Sequence, residues 1–170
     1  MRVPNTFRLL TLFICALAFG DVWAAAPAPL NERAPALVLR DVEGRMHDLS
    51  DYRGKVVLIN FWATWCEPCR MEMPSMQRLS EKLTGKRFAL LAVNLDEPEA
   101  RVRAFLKQIH FDEPVLLDVN KAIAKRWGAR VLPTTFVVGP DGRVRYRLVG
   151  EMDWSSDSAL AIVSELLAGT

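Results

Sequence analysis

At 170 residues, with 51% hydrophobic side chains, the chain is long enough for one domain with a real core. Its 22 basic and 20 acidic residues leave a formal net charge of +2. That balance excludes the electrostatic footprint of a nucleic-acid binder and a polybasic membrane patch. No internal repeat or low-complexity tract interrupts the chain after its N-terminus.

Arg2 and Arg8 precede an apolar run over 9–20, followed by Asp21 and the small residues Ala24, Ala25 and Ala26. This is the order of a secretory signal, and the run is short for a bilayer span. Residues 1–26 therefore read as a signal peptide or an N-terminal membrane anchor, with 27–170 as the folded domain. Cleavage after Ala24 or Ala26 takes Cys15 away and leaves Cys66 and Cys69. The expected location is the periplasm or the outer face of the cytoplasmic membrane.

Residues 36–39 and 45–48, on either side of Asp41-Val42-Glu43-Gly44, predict a short hairpin. The continuous apolar run over 55–61 suits a central strand buried on both faces. A helix is expected over 68–83, with Met76, Leu79 and Leu83 at helical steps and Gly85 past its end. Residues 88–94 form a second buried strand, and 97–108 a helix carrying Val102, Phe105 and Leu106. A short extended segment at 115–118 leads to a helical stretch at 121–127 that stops at Gly128. Residues 134–138 and 143–148 flank the turn Gly139-Pro140-Asp141-Gly142, and an amphipathic helix over 154–167 closes the chain. The class is α/β, a mixed central sheet flanked by helices.

Cys66-Glu67-Pro68-Cys69 lies where the central strand should hand over to a helix. There the free N–H groups and the positive dipole end of the helix stabilise a thiolate, the attacking species in thiol–disulfide exchange. A zinc site needs two further ligands; there is no second CxxC, and the histidines are His47 and His110. A bridge closing so short a loop restrains the unfolded chain little, so its value is catalytic rather than structural. No metal or other cofactor is required.

The run from Asn60 to Arg70 (Asn-Phe-Trp-Ala-Thr-Trp-Cys-Glu-Pro-Cys-Arg), followed by Glu72 and Pro74 and later by Val131-Leu132-Pro133-Thr134-Thr135-Phe136, resembles the thioredoxin superfamily. Within it, the chain resembles the TlpA/ResA branch of exported thiol–disulfide oxidoreductases. The resemblance spans about residue 33 to the C-terminus. It implies a thioredoxin fold with an added N-terminal hairpin and an insertion between the second strand and the later hairpin.

The resemblance also implies roles. Cys66 is the expected nucleophile and Cys69 the resolving thiol. Pro68 presets the first helical turn, where a missing N–H costs nothing. Glu67 puts a negative charge beside the thiolate and works against it, which leans towards a reductant. Asn60 stands where cytosolic thioredoxins carry a buried aspartate, so another group must assist Cys69, and Glu72 matches a family carboxylate suited to that task. Leu132-Pro133 fits the family's cis-proline loop facing the disulfide, with the Leu132 backbone free to pair with an extended substrate and Trp65 flanking as a contact surface. Pro74 matches a helix kink. Met71, Met73 and Met76 read as core or near-core filling, and Arg143, Arg145 and Arg147 as the solvated face of a half-buried strand.

The expected function is reduction of protein disulfides, with targets in cytochrome c maturation or copper-site assembly and a membrane electron donor of the DsbD/CcdA type. The alternatives are a thiol oxidant in disulfide formation and a copper-carrying binding protein. A carrier of the Sco type wants a C-x-x-x-C pair with a ligand histidine, and a peroxidase wants a threonine at the position that Ala63 holds.

Overall fold

The computed structural model describes residues 30–169. The expected signal or anchor over 1–26 lies outside the described residues. Among those described, no helix is long and apolar enough to cross a membrane.

Eight strands and four α-helices follow one another in the order β1 (Glu32–Arg33), β2 (Val38–Arg40), β3 (Met46–Asp48), β4 (Val56–Trp62), α1 (Glu67–Lys82), β5 (Phe88–Leu95), α2 (Glu99–Leu106), β6 (Val115–Asp118), α3 (Ala122–Trp127), β7 (Thr134–Val138), β8 (Arg143–Val149) and α4 (Asp157–Ala168). Six of the strands form one sheet in the order β1-β8-β7-β4-β5-β6. All seven residues of β4 are buried, as its unbroken apolar run requires of a strand covered on both faces. It pairs in parallel with β5 and antiparallel with β7, which makes the sheet mixed.

Strand alternation sorts the core into two layers. Val56, Leu58 and Trp62 face α1, α2 and α4 through Met73, Met76, Leu79, Val102 and Val163. Val57, Ile59 and Phe61 face the opposite side, against Leu37, Ile123, Trp127 and Phe136. Asn60 shares the parity of Leu58 and Trp62, so it belongs to the α1 side.

The expected hairpin is present as β2 and β3, in a sheet of their own docked on the edge strand β6 through Val42 N–H to Val115 O (2.9 Å). Buried Asp41 pins it, accepting from Arg45 N (2.8 Å), Arg45 Nε (2.9 Å) and His47 Nε2 (2.8 Å). Burial opposes the Asp41 charge, but the hydrogen bonds from His47 and Arg45 outweigh it and lower the pKa to about 2. His47 Nδ1 meets the Tyr52 hydroxyl at 2.6 Å, which joins the hairpin to the turn before β4.

Three expectations are corrected in detail. The second helix starts at Glu99 rather than 97, because Pro98 occupies the N-cap and Glu97 turns its side chain elsewhere. The last helix starts at Asp157, capped by Ser156, because Trp154 is drawn into the core instead of beginning the helix. Met73 and Met76 are core residues, whereas Met71 is 69% exposed. The two-residue β1, which pairs with β8, had no expectation at all.

Candidate active site

The carboxyl end of β4 delivers the chain through Ala63–Trp65 to Cys66, the N-cap of α1. Cys66 Sγ accepts from Cys69 N–H (3.3 Å), so the first cysteine also closes the first turn of its helix. The two cysteines are joined as a disulfide and lie 5% and 0% exposed. Glu67 and Pro68 fill the first turn, and both are exposed. Trp65, 66% exposed, forms an apolar projection directly before Cys66.

The β4–β7 register sets the other wall. Phe61 pairs with Thr134 and Asn60 with Thr135, so Pro133 comes level with the point where β4 gives way to the cysteine loop. The Leu132–Pro133 peptide bond is cis. Pro133 is buried, Leu132 is half-buried and Val131 is exposed. Thr134 Oγ1 donates to Val131 O (2.6 Å) and holds this loop in a tight turn.

One turn beyond Cys69 on α1, Glu72 is 3% exposed. Its Oε1 accepts from Asn60 Nδ2 (2.7 Å), which also donates to Thr135 Oγ1 (2.9 Å). Its Oε2 accepts from Met152 N–H (3.2 Å) and Trp154 Nε1–H (3.4 Å). Burial pushes the Glu72 pKa up to about 7, against the three N–H donors that favour the anion, and Glu151 raises it further. A surface cavity of about 300 Å³ opens onto this group, lined by Met71, Ser75 and Arg78 on one side and Glu151, Met152 and Asp153 on the other. A buried carboxyl poised near neutrality and reached from solvent can take up and release a proton at physiological pH.

A second buried carboxylate braces the same loop. Glu97 accepts from Thr64 N–H (2.6 Å), Thr64 Oγ1–H (2.5 Å) and Asn94 Nδ2 (2.8 Å), tying the turn before Cys66 to the end of β5. Among the described residues, no three His, Cys, Asp or Glu side chains are grouped so as to hold a metal ion.

A family model described as the AhpC/TSA family matches residues 30–147. The chain belongs to the AhpC/TSA family. Thiol-disulfide oxidoreductase ResA of Geobacillus thermodenitrificans is 41% identical over 123 residues, covering 72% of this chain and 71% of that protein. ResA of Bacillus subtilis is 36% identical over 148 residues, covering 85% and 83% of the two chains. A crystal structure of a putative thiol:disulfide interchange protein DsbE from Chlorobium tepidum superposes with a TM-score of 0.76 at 30% identity, covering 81% of this chain and 97% of that one. This member of the family is thus a thiol–disulfide oxidoreductase of the ResA-like branch, on a thioredoxin fold.

The fold brings Asn60 and Glu72 into contact and sets Cys66, Cys69, Trp65, Leu132 and Pro133 at one end of the sheet. Glu67 stays apart, at the exposed first turn of α1, and among the described residues its side chain makes no hydrogen bond or ion pair. Sequence reasoning missed Glu97, Thr64, Met152 and Trp154. Only Glu97 left a trace, as an acidic residue just past the end of β5, at the end of the sheet that also carries the cysteine loop. Met152 and Trp154 are far away in sequence and reach Glu72 only through the folded path of the chain.

Proposed function

We propose that this oxidoreductase works as an exported reductase of protein disulfides. The observation that carries the reading is the pairing of an exposed, unneutralised Glu67 with a buried, titratable Glu72 on the same helix. Glu67 and a Cys66 thiolate would compete for one positive helix end, so the dithiol form is less stabilised than in a strong oxidant.

In the cycle, the Cys66 thiolate attacks a substrate disulfide, forms a Cys66–substrate bond and expels one substrate thiolate. Cys69 then gives its proton to the Glu72 carboxylate and attacks Cys66 Sγ. That step forms the Cys66–Cys69 disulfide and expels the second substrate thiolate, which is protonated in turn. Two electrons pass to the substrate, and a membrane donor of the DsbD/CcdA type restores the dithiol. Trp65, Leu132 and Pro133 make the contact surface, with the Leu132 backbone pairing to an extended substrate segment. The signal-like 1–26 supports export, and the ResA-like resemblance supports targets among haem-binding cysteines of apocytochromes c or cysteines of copper-site assembly.

The deciding measurement is the reduction potential of the Cys66–Cys69 couple. A value in the range of thioredoxin, about −270 mV, supports the reductant; one near about −120 mV overturns it in favour of an oxidant. Metal analysis of the reduced protein beside an insulin-reduction assay separates enzyme from copper carrier.

A further inference from the structure

Among the described residues, three buried tryptophans contribute to the core, Trp62, Trp127 and Trp154. Among the described residues, the indole N–H groups of Trp62 and Trp127 have no hydrogen-bond partner. Trp154 differs: fully buried, it directs Nε1–H at Glu72 Oε2. Its backbone is fastened to the same turn of α1, since Trp154 N–H donates to Ser75 Oγ (3.0 Å) and Ser75 Oγ–H donates to Glu72 O (2.7 Å). Two residues earlier, Met152 N–H donates to the same Oε2 (3.2 Å). The segment leading into α4 therefore grips both the side chain and the main chain of Glu72.

We propose that Trp154 is a positioning residue of the redox centre, which with the Met152 amide fixes the second oxygen of Glu72 and so governs how readily this carboxylate exchanges a proton with Cys69. The proposal rests on the proton-accepting role given to Glu72 above. Its logic is one of shared labour between two oxygens. Oε1 is held from the sheet by Asn60, a neutral donor, with Thr135 behind it. Oε2 is held from the α4 side, where the charged neighbours are Glu151, which disfavours the anion, and Arg78 and Asp153, which line the cavity. The cysteines are the remaining titratable groups on α1 beside it, and they do not titrate while joined as a disulfide. With β4 and β7 offering only neutral partners, the N–H groups on Oε2 are the contacts through which the C-terminal part of the chain can set the charge of Glu72.

The test uses the full exported chain in its disulfide form, with glutamate labelled at the carboxyl carbon and followed by NMR against pH. Trp154→Phe keeps the ring and removes the donor. The Glu72 midpoint should rise by up to about one pH unit, the effect of one hydrogen bond to an anion, weakened here by its 3.4 Å length. The pH profile for resolution of a Cys66 mixed disulfide in the reduced protein should move the same way, and Trp154→Phe added to Glu72→Gln should move nothing further. A folded Trp154→Phe protein with an unchanged midpoint overturns the proposal. If that variant does not fold, the wild-type Trp154 indole resonance still decides: it should titrate with the Glu72 midpoint and stop doing so in Glu72→Gln, and a pH-invariant resonance overturns the proposal. Failure of the underlying reading has a different mark, namely a mixed-disulfide resolution rate that Glu72→Gln leaves unchanged.

Discussion

Replacing Glu72 with glutamine should stabilise the oxidised protein above neutral pH and leave it nearly unchanged in mild acid. In the unfolded chain this carboxyl ionises near its ordinary value of 4.5, whereas burial in the fold holds the proton up to about 7. Folding therefore binds a proton between those two values, and stability falls as pH rises through the window. Each tenfold change in proton affinity is worth about 1.4 kcal/mol, so the charge costs the folded state on the order of 3 kcal/mol once the pH passes 7. Below the lower value both states are protonated and the cost is absent. Glutamine mimics the neutral acid: its oxygen accepts the Met152 and Trp154 N–H groups, and its amide finds the otherwise unpartnered Oδ1 of Asn60 once that amide turns over. Denaturant titrations of both disulfide-intact proteins across this range should give a difference that is flat in acid. It should grow to roughly 3 kcal/mol, or about 6–12 °C in Tm, towards about pH 8. A difference that stays constant with pH would refute the buried-carboxylate reasoning, whatever its size. The same variant should resolve mixed disulfides more slowly, a gain in stability set against a loss of function.

Cys69→Ser should accumulate a mixed disulfide through Cys66 with a model substrate, seen as a mass adduct; trapping only through Cys69 in Cys66→Ser would reverse the two roles. Asn60→Asp should set a second carboxyl at the 2.7 Å contact with Glu72, so that the pair shares one proton and its upper apparent pKa exceeds the wild-type value of about 7. Carboxyl NMR in which both groups titrate at ordinary values would count against this contact. Asp41→Asn should cost about 1–3 kcal/mol by weakening the bonds that pin the β2–β3 hairpin. Because the folded pKa of Asp41 is depressed to about 2, its contribution is present above the ordinary value of 3.8 and is lost as pH falls towards 2. Acid unfolding curves that coincide for the two proteins would show that Asp41 pins nothing.

What was legible in the sequence follows from what each element depends on. The strand β4 depends on burial on both faces, which an unbroken apolar run states directly, and the β7–β8 hairpin depends on Gly142, held at a φ of +71° in its turn. The cysteine pair was legible because its chemistry needs only a fixed spacing at a helix start. The strand β1 was not, since both of its side chains are exposed and its place is set by backbone pairing to β8. Burial of Glu72 was not legible either. Its helical position is the same for a surface glutamate, and only the arrival of Met152 and Trp154 from the far end of the chain closes it in. Glu97 gave up its place in a helix for a similar reason, because the Thr64 and Asn94 donors it meets come from two different loops and strands.

The placement of this carboxylate bears on how the enzyme can finish its reaction. A substrate paired along Leu132 and packed against Trp65 would cover Cys66 and shut water out of that face, which is where a proton on Cys69 would otherwise leave. With a neutral amide at Asn60, the sheet beneath the disulfide has no acceptor to offer at neutral pH. Glu72 lies between the two sides. It touches the interior through Asn60 Nδ2 and meets solvent through the cavity beneath Glu151 and Asp153, away from the Leu132–Pro133 loop. In the proposed cycle, an acceptor on the second turn of α1 rather than on the strand would separate the path of the proton from the path of the substrate. It also brings Glu72 within reach of the segment leading into α4, so in the proposed cycle Met152 and Trp154 would hold the group that takes the proton of Cys69.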